Sequence, residues 1–257
     1  MSIEQTNFGF LKRKNSSYIK SDNEGAKIFK KLLDTLSIKG ILNPIDAIEV
    51  ISKFLLIKEI FASGLLRKYR KSSNAYLFEK FIDIDWKSFK DQNRHQLAEI
   101  FKNEIFPLTN FLADQGEEIG LLASRMRFDL SNESNLFFNE ILDLIEFATE
   151  KNDYSTGELF EDLFSSISIS GSNGQFKTPD HLTKLMVEMV SPDLNDSILD
   201  PFCGTGTLLI QAAKYIHKNE QSLLSEEDKK IQFSRDIFRG NDLNSTISNL
   251  GKIRLFL

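Results

Sequence analysis

The stretch "LDPFCGTGTLL", residues 199 to 209, decides the fold. An apolar approach ends in Asp200, turns through Pro201 and two glycines, and runs into a helix expected over 206–218. That helix places Leu208, Leu209, Ala212, Ala213 and Ile216 inward at helical spacing. "ILD" (198–200) reads as a short strand, and "IFRGND" (237–242) as a second strand that also ends in an acid, Asp242. Residues 219–234 between them are charged and read as a surface insertion. "STISNLGKIRLFL" (245–257) reads as a helix weakened by Gly251. Upstream, Thr178-Pro179-Asp180 starts a helix, with Thr as N-cap, Pro at the first helical position and Asp in the first turn. Leu182, Leu185, Met186, Met189 and Val190 are its expected apolar stripe. Helix, strand, helix, strand, helix is the beginning of a doubly wound α/β (Rossmann-like) fold.

The preceding residues read as helices. Ile28, Leu32, Leu33 and Leu36 recur at helical spacing. Segment 45–61 is apolar on most of its circumference, which suits the central helix of a bundle. "HQLAEIFKNEIFPLTNFL" (95–112) is helical with a break or kink near Pro107. "SNLFFNEILDLIEFA" (134–148) puts Leu136, Phe137, Ile141, Leu144, Ile145 and Ala148 on one face. Ser155 with Glu158 forms a capping box. "SSISISGSNG" (165–174) is small and polar, a connector or loop. The chain therefore divides into a helical domain, 1–154, and an α/β part, 155–257.

Composition narrows the chemistry. Hydrophobic residues make up 41% and charged ones 27% of 257 residues, as in ordinary globular domains. The net charge of −5 excludes a clamp that holds nucleic acid by bulk charge alone and leaves room for a local basic face or a basic partner. A single cysteine, Cys203, excludes an internal disulfide, and three histidines without an HExxH-like pair give no metal site. The most apolar run, 48–66, contains Glu49, Lys53, Lys58 and Glu59, so it reads as a buried helix and not as a membrane span. No signal peptide is visible, and a cytoplasmic location is expected.

Ligands of open α/β sheets sit beyond the carboxyl ends of the strands, where Asp200 and Asp242 fall. Gly204 and Gly206 let a ligand approach the backbone, and the next helix offers its N-terminus to an anion. A dinucleotide fingerprint would carry a third small residue where Leu209 stands and an acid about 20 residues on. A P-loop would carry Lys-Ser/Thr after the glycines. A tight turn without a ligand remains open on the glycines alone.

"DPFCGTGTLLIQAA" resembles the S-adenosylmethionine motif of amino-group DNA methyltransferases, of the form D-P-x-C-G-x-G. "GQFKTPDHLTKLMVEMVSP" (174–192) is similar to the segment that precedes it in those enzymes, and "FRGNDLN" (238–244) to their second strand. The order matches. With the helical region ahead and "GELFEDLFSSIS" before "GQFKTP", the chain resembles the N-terminal part of the modification (M) subunit of type I restriction–modification systems. The resemblance implies a helical N-terminal domain followed by the first part of an S-adenosylmethionine-dependent methyltransferase fold, incomplete at its C-terminus. It implies adenine-N6 DNA methylation with S-adenosyl-L-methionine as cofactor. Its partners would be DNA and a specificity subunit, with a second M copy and a restriction subunit as further candidates.

Carried over residue by residue, Asp200 and the Gly204–Gly206 backbone would meet the methionine end, and Asp242 both ribose hydroxyls. Phe176 and Thr178 would close over the cofactor, and Phe202 would pack near the adenine. Plainer roles stand beside these. Asp200 could be a turn aspartate, and Asp242 could cap the last helix in rivalry with Asn244 or Ser245. Phe176 could be core, and Cys203 reads as a small buried residue and not a nucleophile. The family's N-P-P-F/Y motif, which holds the flipped target base, is absent from these 257 residues, and "NPID" (43–46) is a turn. No catalytic residue is therefore assigned, and the chain alone is expected to be inactive. The apolar ending "IRLFL" without a stop signal predicts an interrupted sheet. The alternative is a non-catalytic helical interaction module with a vestigial cofactor motif.

Overall fold

A computed structural model of the chain describes residues 24–72, 76, 78–125, 130, 132–151, 156–157, 159–161, 164 and 178–257. These divide into two compact units, within Ser17–Ile167 and within Ser168–Leu257. The expected capping box at Ser155 and Glu158, the connector 165–174 and Phe176 lie outside the described residues.

The first unit is helical: α1 (Glu24–Ile38), α2 (Pro44–Ser63), α3 (Trp86–Asn93), α4 (Leu97–Ile100), α5 (Phe106–Asp114), α6 (Glu118–Ser124) and α7 (Asn135–Lys151). The "NPID" stretch, expected as a turn, is the start of α2: the Asn43 side chain accepts from the Ile45 N–H at 3.0 Å, and Pro44 occupies the first position, where its missing N–H costs nothing. Gly64, in the left-handed region at φ 69°, ends it. Every residue from Ala47 to Ile57 is buried, as a central helix requires. The core is phenylalanine-rich. Phe54 meets Phe101, Phe137 and Phe138, while Phe61 meets Phe81, Trp86 and Phe89. Each such ring contributes about 1.5–3 kcal/mol by leaving water. The charges inside α2 are accommodated by contact; the Lys53 ammonium lies 4.4 Å from the centroid of the Phe106 ring. No helix of the described residues is long and apolar enough to cross a membrane.

Near Pro107 the helical run is irregular: a π-helical segment, Phe101–Ile105, joins α4 to α5, and the proline falls in the first turn of α5. One further expectation for this unit changes. On α7, Leu136 points to solvent, whereas Phe138 and Leu142 join Phe137, Ile141, Ile145 and Ala148 in the core. The buried face is thus rotated toward Phe54 and Phe101, because the ring contacts of Phe138 decide it.

The second unit runs α8 (Asp180–Val190), β1 (Ile198–Asp200), α9 (Thr207–Asn219), a 3-10 turn (Leu223–Ser225), α10 (Glu227–Arg235), β2 (Phe238–Gly240) and α11 (Ser245–Phe256). β1 and β2 are parallel, with Ile198 beside Phe238 and Asp200 beside Gly240. The core gathers Leu209, Ala213 and Ile216 of α9 with Phe233, Phe238 and Leu255. Residues 219–234 are therefore more than a surface insertion. They include most of α10, and Phe233 is fully buried against Phe238.

Helix α8 starts one residue later than its sequence signals place it. Pro179 is the cap residue, and its carbonyl accepts from Leu182 and Thr183 N–H at 2.9 and 3.1 Å. Thr178 precedes it and is exposed. The apolar stripe of α8 is left exposed. Leu182, Leu185, Met186, Met189 and Val190 are exposed, and Thr183 and Val187 are buried instead. Periodicity locates an apolar face correctly but does not say what covers it.

Candidate functional site

The two strand tips are laced together. The Asn241 N–H donates to the Asp200 carbonyl at 3.0 Å, and the Cys203 N–H to the Asn241 carbonyl at 2.8 Å. The chain then reverses: Gly206 N–H donates to the Cys203 carbonyl at 2.7 Å, and α9 begins at Thr207. Gly204 and Gly206 adopt φ 53° and 76°, the left-handed region that other residues enter at a cost.

Both strand-end carboxylates serve this turn. Asp200 Oδ1 accepts from the Phe202 N–H at 3.2 Å, an Asx turn. Asp242 reaches across: Oδ2 accepts from the Gly204 N–H at 3.0 Å, and Oδ1 from the Asn244 N–H at 2.8 Å. Capping of α11 falls to Asn244, whose Oδ1 accepts from Thr246 and Ile247 N–H at 3.1 and 3.3 Å. Asp242 is thus a bridge between the strand-end loop and the glycine turn. Cys203 sits between the carboxylates. Burial, with the Asp200 and Asp242 charges beside it, pushes its thiol up, which keeps it protonated and unreactive.

Asp200, Gly204, Gly206 and Asp242 are therefore assembled around one turn. Phe202 lies on that turn and is 86% exposed. Thr178 stands exposed ahead of α8, and Phe176 lies outside the described residues. Four further residues shape the turn: Gly240 and Arg254 escape sequence reading, Gly251 is read there only as a weak point of the last helix, and Asn244 as a rival cap. Gly240 leaves room for Cys203: a Cβ there would lie 2.9 Å from the Cys203 sulfur. Gly251 of α11 lets that helix approach the turn, since a Cβ would meet the Gly204 oxygen at 3.2 Å. Arg254 donates to the Thr205 carbonyl and the Thr207 hydroxyl. Asn244 supplies the cap. For Arg254 the sequence signal is a charge within the apolar "IRLFL".

The residues fit a small ligand with hydroxyl, ammonium and carboxylate groups. A Cβ built on Gly204 would meet nothing within 4 Å, so its outer side is open. A carboxylate has about four acceptor positions, and Asp242 spends two on the backbone. Unpaired N–H groups at the start of α9 attract an anion. Among the described residues no group of His, Cys, Asp and Glu could hold a metal ion.

Residues 151–257 match the model of the N-6 DNA Methylase family. The methylase subunit of the type I restriction enzyme EcoEI from Escherichia coli is 33% identical over 89 residues, 35% of this chain and 18% of that protein. The methylase subunit of the type I restriction enzyme MpnII from Mycoplasma pneumoniae is 29% identical over 123 residues, 46% of this chain and 20% of that protein. The chain thus spans about a fifth of the curated relatives it matches. The crystal structure of a modification subunit assigned to a type I restriction enzyme of Vibrio vulnificus YJ016 superposes with a TM-score of 0.60 at 15% identity. That match covers 92% of this chain and 54% of the other, and it shows a shared fold. Residues 151–257 are thus similar to the N-6 DNA Methylase family, and parts of the chain to the methylase subunits of two type I restriction enzymes.

Proposed function

We propose that the chain provides the S-adenosylmethionine-binding part of an adenine-N6 DNA methyltransferase, the modification subunit of a type I restriction–modification system. The observation that carries this reading is the Asp242 bridge. One carboxylate fixes the glycine turn through the Gly204 N–H and keeps acceptor positions for two ribose hydroxyls. S-adenosylmethionine supplies an electrophilic methyl group on a sulfonium sulfur. The Asp200 carboxylate and the Gly204–Gly206 backbone take the methionine end, where the start of α9 favours its carboxylate. Phe202 offers an exposed ring to the adenine, and Thr178 with Phe176 closes over the cofactor.

The methyltransferase domain begins near residue 155, as the family match from residue 151 supports. Its sheet is the start of a Rossmann-like fold. The exposed apolar residues of α8, with Leu199 at 66% exposure on β1, form the face on which further strands and helices of that domain pack. Catalysis needs the N-P-P-F/Y motif, which these residues do not contain. The acidic charge suits a division of labour in which a specificity subunit reads the DNA, joined by a second M copy and a restriction subunit, in the cytoplasm.

Calorimetric titration of the full-length protein with S-adenosylmethionine tests the reading. Asp242→Ala removes both ribose acceptors and the tie to Gly204, and should weaken binding about 10–100-fold. Unchanged affinity in Asp242→Ala, or no N6-methyladenine formed on DNA by the full-length protein with its specificity subunit, would overturn it.

A further inference from the structure

Arg254 is an unexpected residue for its position. It is 7% exposed, on an otherwise apolar turn of α11 between Ile253 and Leu255. Burying a guanidinium costs several kcal/mol unless hydrogen bonds compensate it. Here it also lies at the start of α9, where the helix dipole works against a cation. A leucine or methionine would pack there without either cost. What an apolar residue could not do is donate to the glycine turn: Arg254 Nη1 lies 3.3 Å from the Thr205 carbonyl oxygen and 2.9 Å from the Thr207 hydroxyl. Gly251, one helical turn earlier, brings the α11 backbone against Gly204 and Thr205; a Cβ there would come within 3.2–3.3 Å of both.

We propose that Arg254 is a positioning residue for the cofactor: resting on the functional reading above, it holds the 204–207 turn from behind while Asp242 holds it from the strand side. The two grips act on opposite ends of the turn, Asp242 on the Gly204 N–H and Arg254 on Thr205 and Thr207. The turn's remaining face carries the open side of Gly204 and meets the methionine end of the ligand. Arg254 therefore acts on affinity for the aminobutyrate part and not on affinity for the nucleoside, which Asp242 serves. Arg254 and the small residue at 251 belong to one device, since the guanidinium reaches the turn only because α11 approaches so closely.

The test uses full-length protein with Arg254→Met and Arg254→Lys. Binding of S-adenosylhomocysteine, which has the aminobutyrate, is compared with that of 5′-methylthioadenosine, which lacks it. Hydrogen exchange of residues 203–207 is followed alongside. The expected result for Arg254→Met is about tenfold weaker S-adenosylhomocysteine binding, less than twofold change for 5′-methylthioadenosine, and faster exchange at 203–207. Arg254→Lys, which keeps a charged donor, recovers part of the loss. Equal weakening of both ligands, or unchanged exchange at 203–207, would overturn the proposal and leave Arg254 a plain structural residue. Failure of the unsubstituted protein to bind either ligand would instead overturn the functional reading, and the cofactor role with it.

Discussion

Gly240→Ala probes how tightly the strand tips are packed against the glycine turn. The added methyl would lie 2.9 Å from the Cys203 sulfur, 2.9 Å from Leu209 Cδ1 and 3.1 Å from Cys203 Cβ. All three distances are well inside van der Waals contact, and Leu209 is itself fully buried. Overpacking of this kind costs about 1–3 kcal/mol. Replacing glycine in a strand returns about 0.5–1 kcal/mol through the unfolded chain. The net expectation is a loss of about 1–2 kcal/mol, confined to the second unit. Cys203→Ala in the same chain removes the sulfur and leaves mainly the end of the Leu209 side chain to yield. The double variant should therefore recover about 1 kcal/mol relative to additivity. Hydrogen exchange over 198–206 as a function of urea reads the loss. Trp86, the single tryptophan, sits in the helical unit, and its fluorescence transition serves as an internal control. A Gly240→Ala protein as stable as its parent, or single and double variants that simply add, would refute the reasoning.

Other outcomes follow from the same structure. Cys203 should react with iodoacetamide at pH 8 more slowly than free cysteine, because burial and two nearby carboxylates hold the thiol above its usual value; unfolding in urea should restore the rate. Gly120→Ala should destabilise the helical unit by about 3 kcal/mol in urea melts followed by Trp86. Its Cβ would lie 2.5 Å from Leu112 Cβ and 2.6 Å from the Ala113 backbone nitrogen, and backbone cannot step aside. Burial works against the Asp143 carboxylate, but Arg94 and Lys90 overcome it and hold the carboxylate below its ordinary value of 3.8. A depressed carboxylate stabilises the fold above its unfolded pKa. Stability of the helical unit should therefore fall as the pH drops below about 4, and Asp143→Asn should flatten that fall. His217 of α9 is held below 6.5 by burial, so the second unit should weaken as the pH falls below 6.5, where the unfolded chain takes up a proton the folded one resists. His217→Gln should remove that slope.

Much of this was legible in the sequence, and the exceptions share a cause. "ILD" and "FRG" are strands, and the two glycines mark the turn, because local chemistry settles these points. Helix α2 was readable because a helix apolar on most of its circumference has only one place to go. The orientation of α8 was not readable: its stripe is real, but Thr183 and Val187 face the core of this unit. Phe233 was hidden because a charged segment masks a single inward ring. Asn244 outcompetes Asp242 as a cap because the Asp242 carboxylate reaches the Gly204 N–H, 38 residues away in sequence. Long-range partners of that kind leave no local pattern. Arg254 is the strongest case, since the acceptors of its hydrogen bonds, Thr207 and Thr205, lie 47 and 49 residues upstream.

The glycine turn is held mainly by backbone. Its own side chains contribute a Thr207 hydroxyl and little else, while the neighbouring segments supply a carboxylate, a guanidinium and two places where a Cβ is missing. That arrangement has a consequence for which substitutions matter. A change at Phe202, whose ring stands in solvent, leaves the turn's shape intact, so any effect of Phe202→Ala on cofactor affinity reports a direct contact with the ligand. A change at Gly251 acts through shape, because an added Cβ would press on the Gly204 oxygen and the Thr205 backbone at 3.2–3.3 Å. Gly251→Ala should thus move the turn by a few tenths of an ångström and weaken S-adenosylhomocysteine more than 5′-methylthioadenosine, as Arg254→Met does. Phe202→Ala should weaken both ligands alike, because both carry the adenine. If Gly251→Ala also weakened both alike, the turn would not be the part of the site that recognises the methionine end, and the division of roles between Arg254 and Asp242 would fail with it.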